Sequence, residues 1–337
     1  MDLNTIWFLL VGVLIIGYAI LDGFDLGVGI LYPFLSKSES DKKALINSVG
    51  PFWDGNEVWL LTGGGALFAA FPVVYASVFS GFYLAMILVV LGLIMRAVSL
   101  EYRSQADPGW HGKMDMLFFA GSLIPALLFG VAIGNIAKGL PLDAGYHYTG
   151  GFWALLNPYA LLTGLLGLAA IIMHGSVYTI LKQEGSLKAG SQRLFPKVWL
   201  VFVILYIVAA VYTYLVAPDL FSNYVNYPVL YLVPILTAAG IASLPQLVKR
   251  GKEGLAFLAS SVVFGSMILT LTLGMFPNLV PALNPDLSLT IYNAASSPLT
   301  LKTMLIIALT GVPIVIFYTI YVYRVFSGKV SPDQEGY

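Results

Sequence analysis

Cysteine is absent from this sequence. That excludes disulfides, iron–sulfur clusters, thiolate metal sites and a cysteine nucleophile. Charge is almost as scarce. Charged residues make up 10% of the chain and cancel to a net charge of zero, whereas a soluble domain carries about 25%. No basic run occurs, so nucleic acid is excluded as a partner. There are three histidines, and only His174 falls within an apolar stretch, which leaves no pair for bis-histidine haem ligation. No hydrolytic triad or Walker loop stands out. The start, Met1-Asp2-Leu3-Asn4-Thr5, lacks the basic region and cleavage site of a signal peptide, so the first apolar stretch is expected to stay in the mature protein.

What is there is hydrophobic: 58% of residues are apolar and the mean hydropathy is +0.86. The fold class is therefore all-α, a polytopic membrane protein. Nine transmembrane helices are predicted, at 6–33, 53–72, 76–100, 115–137, 153–181, 197–216, 228–247, 255–276 and 300–323. The apolar stretch from Val58 to Val98 is too long for one helix, and Pro72 marks the turn within it. With the amino terminus outside, all Lys and Arg but Lys138 and Lys302 fall in inner segments, which predicts an N-out, C-in topology. Residues 8–23 align without gaps onto 160–175, matching Gly12 to Gly164 and Gly23 to Gly175. Either this is a chance match of apolar helices, or one transmembrane domain (1–337) contains two four-helix bundles (1–150 and 151–280) plus one peripheral helix (300–323). Residues 277–299 form the longest non-helical outer stretch, and the tail after Lys329 is polar and expected to be mobile.

The chain is organised around Ile20-Leu21-Asp22-Gly23-Phe24-Asp25-Leu26-Gly27-Val28-Gly29. Asp22 lies roughly 24 Å along a helix whose apolar span is about 30 Å. An ionised Asp at mid-bilayer costs about 2.5–3.5 kcal/mol on insertion scales, so it requires a partner, a wet cavity or a proton. The i, i+3 spacing puts Asp22 and Asp25 on one face, and Gly23 and Gly27 form a small-xxx-small pair that lets another helix approach. This predicts a polar seam facing protein.

A second acidic motif, Trp53-Asp54-Gly55-Asn56-Glu57-Val58-Trp59, opens the next span on the same inner side. Asp54 and Glu57 have capping-box spacing; alternatively they join Asp22 and Asp25 in a cluster of four carboxylates that relays protons. Gly63-Gly64-Gly65 is expected to break this span, as a kink or as a flat surface for a neighbour. Arg96 and Glu101 are expected to snorkel at an inner helix end, Arg103 and Asp107 to be solvated, and His174 to be a polar residue on an interior face.

At the two acidic motifs the chain resembles subunit II of the cytochrome bd quinol oxidases, terminal oxidases of bacterial and archaeal cell membranes. Further matching pieces are Gly64-Gly65-Ala66-Leu67-Phe68-Ala69-Ala70-Phe71-Pro72, Ser80-Gly81-Phe82-Tyr83, Tyr102-Arg103-Ser104, Gly130-Val131-Ala132-Ile133-Gly134-Asn135, Met275-Phe276-Pro277 and Ser296-Ser297. They span nearly the whole chain in order, although the connection at 217–227 is shorter than in some members. The resemblance implies a haem-free, nine-helix, pseudosymmetric subunit. Its partner, subunit I, would carry haem b, haem d and the quinol site and reduce dioxygen to water with cytoplasmic protons. The implied surroundings are membrane lipids and quinol, with a small single-helix subunit as a further candidate partner. Some members also hold a quinone in this subunit. In the family, carboxylates matching Asp22, Asp25 and Asp54 are assigned to a proton path, a role carried over here with Glu57 added. The rival readings are a proton-coupled secondary transporter and a purely structural scaffold.

Overall fold

The structure is a computed structural model that describes residues 2–330; the tail expected to be mobile lies largely outside them. In chain order the helices are α1 (Leu3–Leu35), α2 (Glu39–Val49), α3 (Trp53–Ala70), α4 (Pro72–Gly81), α5 (Tyr83–Tyr102), α6 (His111–Lys138), α7 (Gly151–Ala154), α8 (Pro158–Lys182) and α9 (Gly185–Val216). They continue with α10 (Ser222–Asn226), α11 (Leu232–Lys249) and α12 (Glu253–Met275). A small antiparallel hairpin, β1 (Asn278–Val280) with β2 (Leu289–Thr290), precedes α13 (Pro298–Val325).

Local chemistry sets many of the helix starts. Asp2 accepts from the Thr5 amide at 2.7 Å, Asn157 caps α8 with Pro158 in its first turn, and Ser297 caps α13 ahead of Pro298. Each supplies an acceptor to the orphan amides of a first turn. Ser38 and Asp41 form a reciprocal capping box on α2, an amphipathic surface helix that the hydropathy pattern did not predict.

Among the described residues eight helices are long and apolar enough to cross a membrane. Helix α3, predicted as the second span, is not one of the eight; Asp54, Asn56 and Glu57 make its first turns polar. Pro72 does end α3, as expected, but the segment predicted as one span from 76 divides into α4 and α5 at Phe82. Gly63-Gly64-Gly65 does not break α3, which is helical throughout. Added Cβ atoms at Gly64 and Gly65 would meet open space, so the pair presents a flat outer face.

Helix α1 is the axis. At about 1.5 Å per residue its 33 residues run about 50 Å, and every residue from Asp22 to Tyr32 is buried. A helix buried all round has protein, not lipid, on every side. α1 packs against α3, α6, α8 and α12. At its crossing with α8, a Cβ on Gly27 would lie 2.4 Å from the Ile171 carbonyl and 2.7 Å from the Gly175 Cα. Only glycine permits that approach. Gly23 meets the His174 ring instead.

The Lys- and Arg-rich helix ends gather at one end of the bundle. There Arg103 bonds Asp115 at 2.6 Å and Glu39 at 2.9 Å, and Lys42 bonds Asp115 at 2.8 Å. Arg103, expected to be solvated, is 4% exposed, whereas Asp107 is exposed as predicted. Lys182 donates to the Phe326 carbonyl at 2.6 Å, and Lys329 pairs with Glu253. At the opposite end the hairpin, Trp7 and the start of α13 close the core, with Trp7 Nε1 donating to the Leu301 carbonyl at 2.9 Å.

Candidate functional site

Asp22 and Asp25 project from the enclosed part of α1, near the basic end of the bundle. Asp22 Oδ1 accepts from Arg96 Nη2 of α5 at 2.7 Å, and both side chains are 0% exposed. The same Nη2 also pairs with Glu57 of α3. One guanidinium therefore serves two carboxylates. Arg96 does not snorkel. It sits about two turns before the end of α5, and close α5–α6 packing keeps it inside, since a Cβ on Gly121 would lie 2.6 Å from the Arg96 amide.

Asp25 has a different partner. Asn56 Nδ2 donates to Asp25 Oδ2 at 2.7 Å and to the Leu21 carbonyl at 3.1 Å, while Tyr323 of α13 donates to Asn56 Oδ1 at 2.9 Å. Asn56 thus fixes the rotation of α1 and connects Asp25 to the last helix. Asp54 is exposed in the first turn of α3. The capping box predicted for Asp54 and Glu57 does not form: the α3 cap position is Phe52, without a side-chain hydrogen bond, and Glu57 turns to Arg96. Three of the four sequence-predicted acids, Asp22, Asp25 and Glu57, come together, with Asp54 standing apart on the surface.

Among the described residues, the buried side-chain polar atoms without a partner in the chain are Tyr18 OH, Asp22 Oδ2, Asp25 Oδ1, Trp53 Nε1, Trp59 Nε1, Arg96 Nε and Arg96 Nη1. These seven atoms belong to six residues: five are on α1 and α3, in or beside the acidic motifs, and the sixth is Arg96, which bridges them. Buried polar groups are satisfied almost without exception, by water where protein does not serve. These atoms are the hydrogen-bonding capacity that the cluster leaves open to water. Three carboxyls thus gather around one guanidinium in a low-dielectric interior, where ionisable side chains are rare.

His174 lies beside this site on α8. Its Nε2 donates to the Ile20 carbonyl at 3.0 Å and its Nδ1 meets Ser260 Oγ at 2.8 Å, with the ring stacked on Phe257. Both nitrogens are engaged, so ligating a haem iron would cost one of these bonds. His111 opens α6, with its Nε2 against the Ala106 carbonyl at 3.1 Å, and His147 lies in the connection before α7; among the described residues no group of three metal-ligating side chains is assembled. As placed, His174 offers no free ring nitrogen to a haem iron.

Arg96 and Asn56 were not singled out as site residues from the sequence. The signal for Arg96 was its depth, too far from the end of α5 for comfortable snorkelling; for Asn56 it was only its place between two acids.

Fold and site together define a polytopic helical membrane protein with an enclosed acid–arginine cluster at its basic end. The family model described as cytochrome bd terminal oxidase subunit II matches residues 3–326, and the chain belongs to that family. It is 38% identical to the cytochrome bd-I ubiquinol oxidase subunit 2 of Escherichia coli K12, covering 98% of this chain and 96% of that protein. It is 35% identical to the cytochrome bd ubiquinol oxidase subunit 2 of Bacillus subtilis, covering 99% and 98%. The bd oxidase structure from Geobacillus thermodenitrificans shares the fold, with a TM-score of 0.82 at 15% identity over 97% of this chain and 99% of the other. This is a multi-pass protein of the cytoplasmic membrane.

Proposed function

We propose that this chain is the haem-free subunit of a quinol:oxygen oxidoreductase and supplies part of the path that brings cytoplasmic protons to the haem site of its partner. Family membership makes it a subunit of a bd-type oxidase. The observation that carries the proton role is the Asp22–Arg96–Glu57 group with Asp25–Asn56 beside it, in which Asp22, Asp25 and Arg96 each keep a buried polar atom without a partner in the chain. The basic end of the bundle faces the cytoplasm in this reading. Asp54, exposed at the mouth of α3, collects protons; Asp25 and Asp22 pass them inward; Arg96 keeps the carboxylates from repelling one another while its free Nε and Nη1 hold water in line. The haems belong to the partner, a reading supported by the engaged nitrogens of His174. When bound there, they reduce dioxygen with electrons from quinol, and the relatives named above act on ubiquinol.

Two experiments test this. A complex purified gently through a tag on this chain should carry haem bands that vanish when the partner subunit is deleted; bands retained on the lone chain would overturn the haem-free assignment. In the intact complex, Asp22→Asn nearly preserves volume but cannot bind and release a proton. Turnover per haem should fall about tenfold or more, in the oxygen-reduction phases that take up protons, while haem reduction by quinol is spared. Asp54→Asn should give a milder defect, because water can replace an entrance group. Wild-type turnover in Asp22→Asn would leave the chain as a structural scaffold.

A further inference from the structure

The unpartnered groups do not stop at the acids. Tyr18 and Asp22 are four residues apart on α1 and Asp25 three further on, so the three form one stripe over roughly 10 Å of helix. Tyr18 is 7% exposed, and its hydroxyl makes no well-formed hydrogen bond in the chain, with Asp22 within reach of it. Its phenol lies within electrostatic reach of Asp22, Arg96 and Glu57. The ring is held edge-on by Phe129 of α6, with centroids 5.5 Å apart. At the same level the Trp59 ring fills the notch at Gly17, where a Cβ would lie 2.3 Å from it, and Trp59 Nε1 is likewise buried and unpartnered. Two hydrogen-bonding groups from different helices thus lie one turn beyond the acids, toward the amino-terminal half of α1.

They differ in what they can do. An indole N–H only donates, so Trp59 can hold a water but cannot pass a proton through itself. A phenol donates and accepts. Resting on the proton-path reading above, we propose that the Tyr18 hydroxyl is a proton-relay group that continues the path past Asp22, with Trp59 orienting the water it shares. A proton arriving from the Asp22 side binds the phenol oxygen as the phenol's own proton leaves to the next oxygen. One O–H bond forms and one breaks, Tyr18 ends neutral, and no phenolate is needed.

Tyr18→Phe keeps the ring and its contact with Phe129 and removes only the hydroxyl. In the intact oxidase complex it should assemble with a normal haem spectrum. Oxygen consumption per haem should fall roughly three- to tenfold, with a larger solvent deuterium isotope effect and unchanged haem reduction by quinol. Asp22→Asn is measured in parallel. If Asp22→Asn is slow while Tyr18→Phe matches wild type in turnover and isotope effect, the Tyr18 relay is wrong and the proton path stands. If both match wild type, both fail. Should Tyr18→Phe assemble poorly, a Phe129→Leu complex separates the causes: it loosens the ring but keeps the hydroxyl, so an equal loss of turnover per haem in both variants would refute the relay. A loss confined to Tyr18→Phe would support it.

Discussion

A guanidinium shared by two carboxylates is what compensates their buried charge. Arg96 and Asp22 are fully enclosed, whereas the Glu57 side chain keeps 20% exposure, so Glu57 can turn to water and Asp22 cannot. Removing the arginine leaves an uncompensated buried carboxylate, which costs about 3–5 kcal/mol, while removing both members of a buried pair can be nearly neutral. Arg96→Leu should therefore lower the melting temperature of the purified complex and its haem retention. The double variant Arg96→Leu/Asp22→Asn should recover much of that loss in stability without recovering turnover. A melting temperature for Arg96→Leu equal to wild type would mean that the pair is not buried in the assembled oxidase.

Helices, in turn, hold these residues in register. The α1–α8 crossing tolerates no side chain at Gly27, because the opposing atoms are backbone. Gly27→Ala should push α1 away from α8 and cost about 1–3 kcal/mol, read as a lower yield of assembled complex. Gly12→Ala on the same helix, where a Cβ meets nothing within 4 Å, should be neutral or slightly stabilising. Equal losses at the two positions would contradict the crossing. Helix α2 is held by its charges. Hydrogen bonds from Arg103 and Lys42 keep the Glu39 carboxyl below the usual carboxylate range, and those to Asp115 and Glu39 keep the Lys42 ammonium above its usual range. The depressed acid contributes above the ordinary Glu value near 4.3 and is lost as pH falls through its folded value; the raised Lys contributes below its ordinary value near 10.4 and is lost as pH rises beyond it. Backbone amides of α2 should be protected against exchange between those limits and open sooner below pH ~4. The exposed Glu39 limits the effect to within about 1 kcal/mol. Unchanged protection through that acid range would exclude the clamp.

The whole molecule is polar at one end and closed by a hairpin at the other, and its orientation in the membrane decides which protons it can take. With its basic end in the cytoplasm, a reporter fused after Lys329 should read cytoplasmic and one inserted near Asp286 external. The reverse pattern would direct the acid cluster to the wrong compartment and sink the proton reading. Membrane orientation follows Lys and Arg because cytoplasmic loops retain them, and here the same residues also tie helix ends together: Arg103 to Asp115 and Glu39, Lys329 to Glu253.

The sequence by itself determined that this is a helical membrane protein, that Asp22 and Asp25 face protein, and which family it belongs to. Those properties are local: the length of an apolar run, the i, i+3 spacing of two acids, and short motifs. Tertiary structure alone decided what the acids face. Asp22 and Arg96 are 74 residues apart, and Asn56 and Tyr323 are 267 apart. Helix α5 is apolar nearly all round, so nothing in its pattern says which side turns to α1; the glycines at the α5–α6 contact settle that by drawing Arg96 inward instead of leaving it to snorkel. The capping box at Asp54 and Glu57 failed for the same reason, because a buried guanidinium within reach is a stronger partner for a carboxylate than a solvated amide. The division of α4 from α5 and the amphipathic α2 were hidden because hydropathy records burial in apolar surroundings, and both depend on packing at the ends of the bundle.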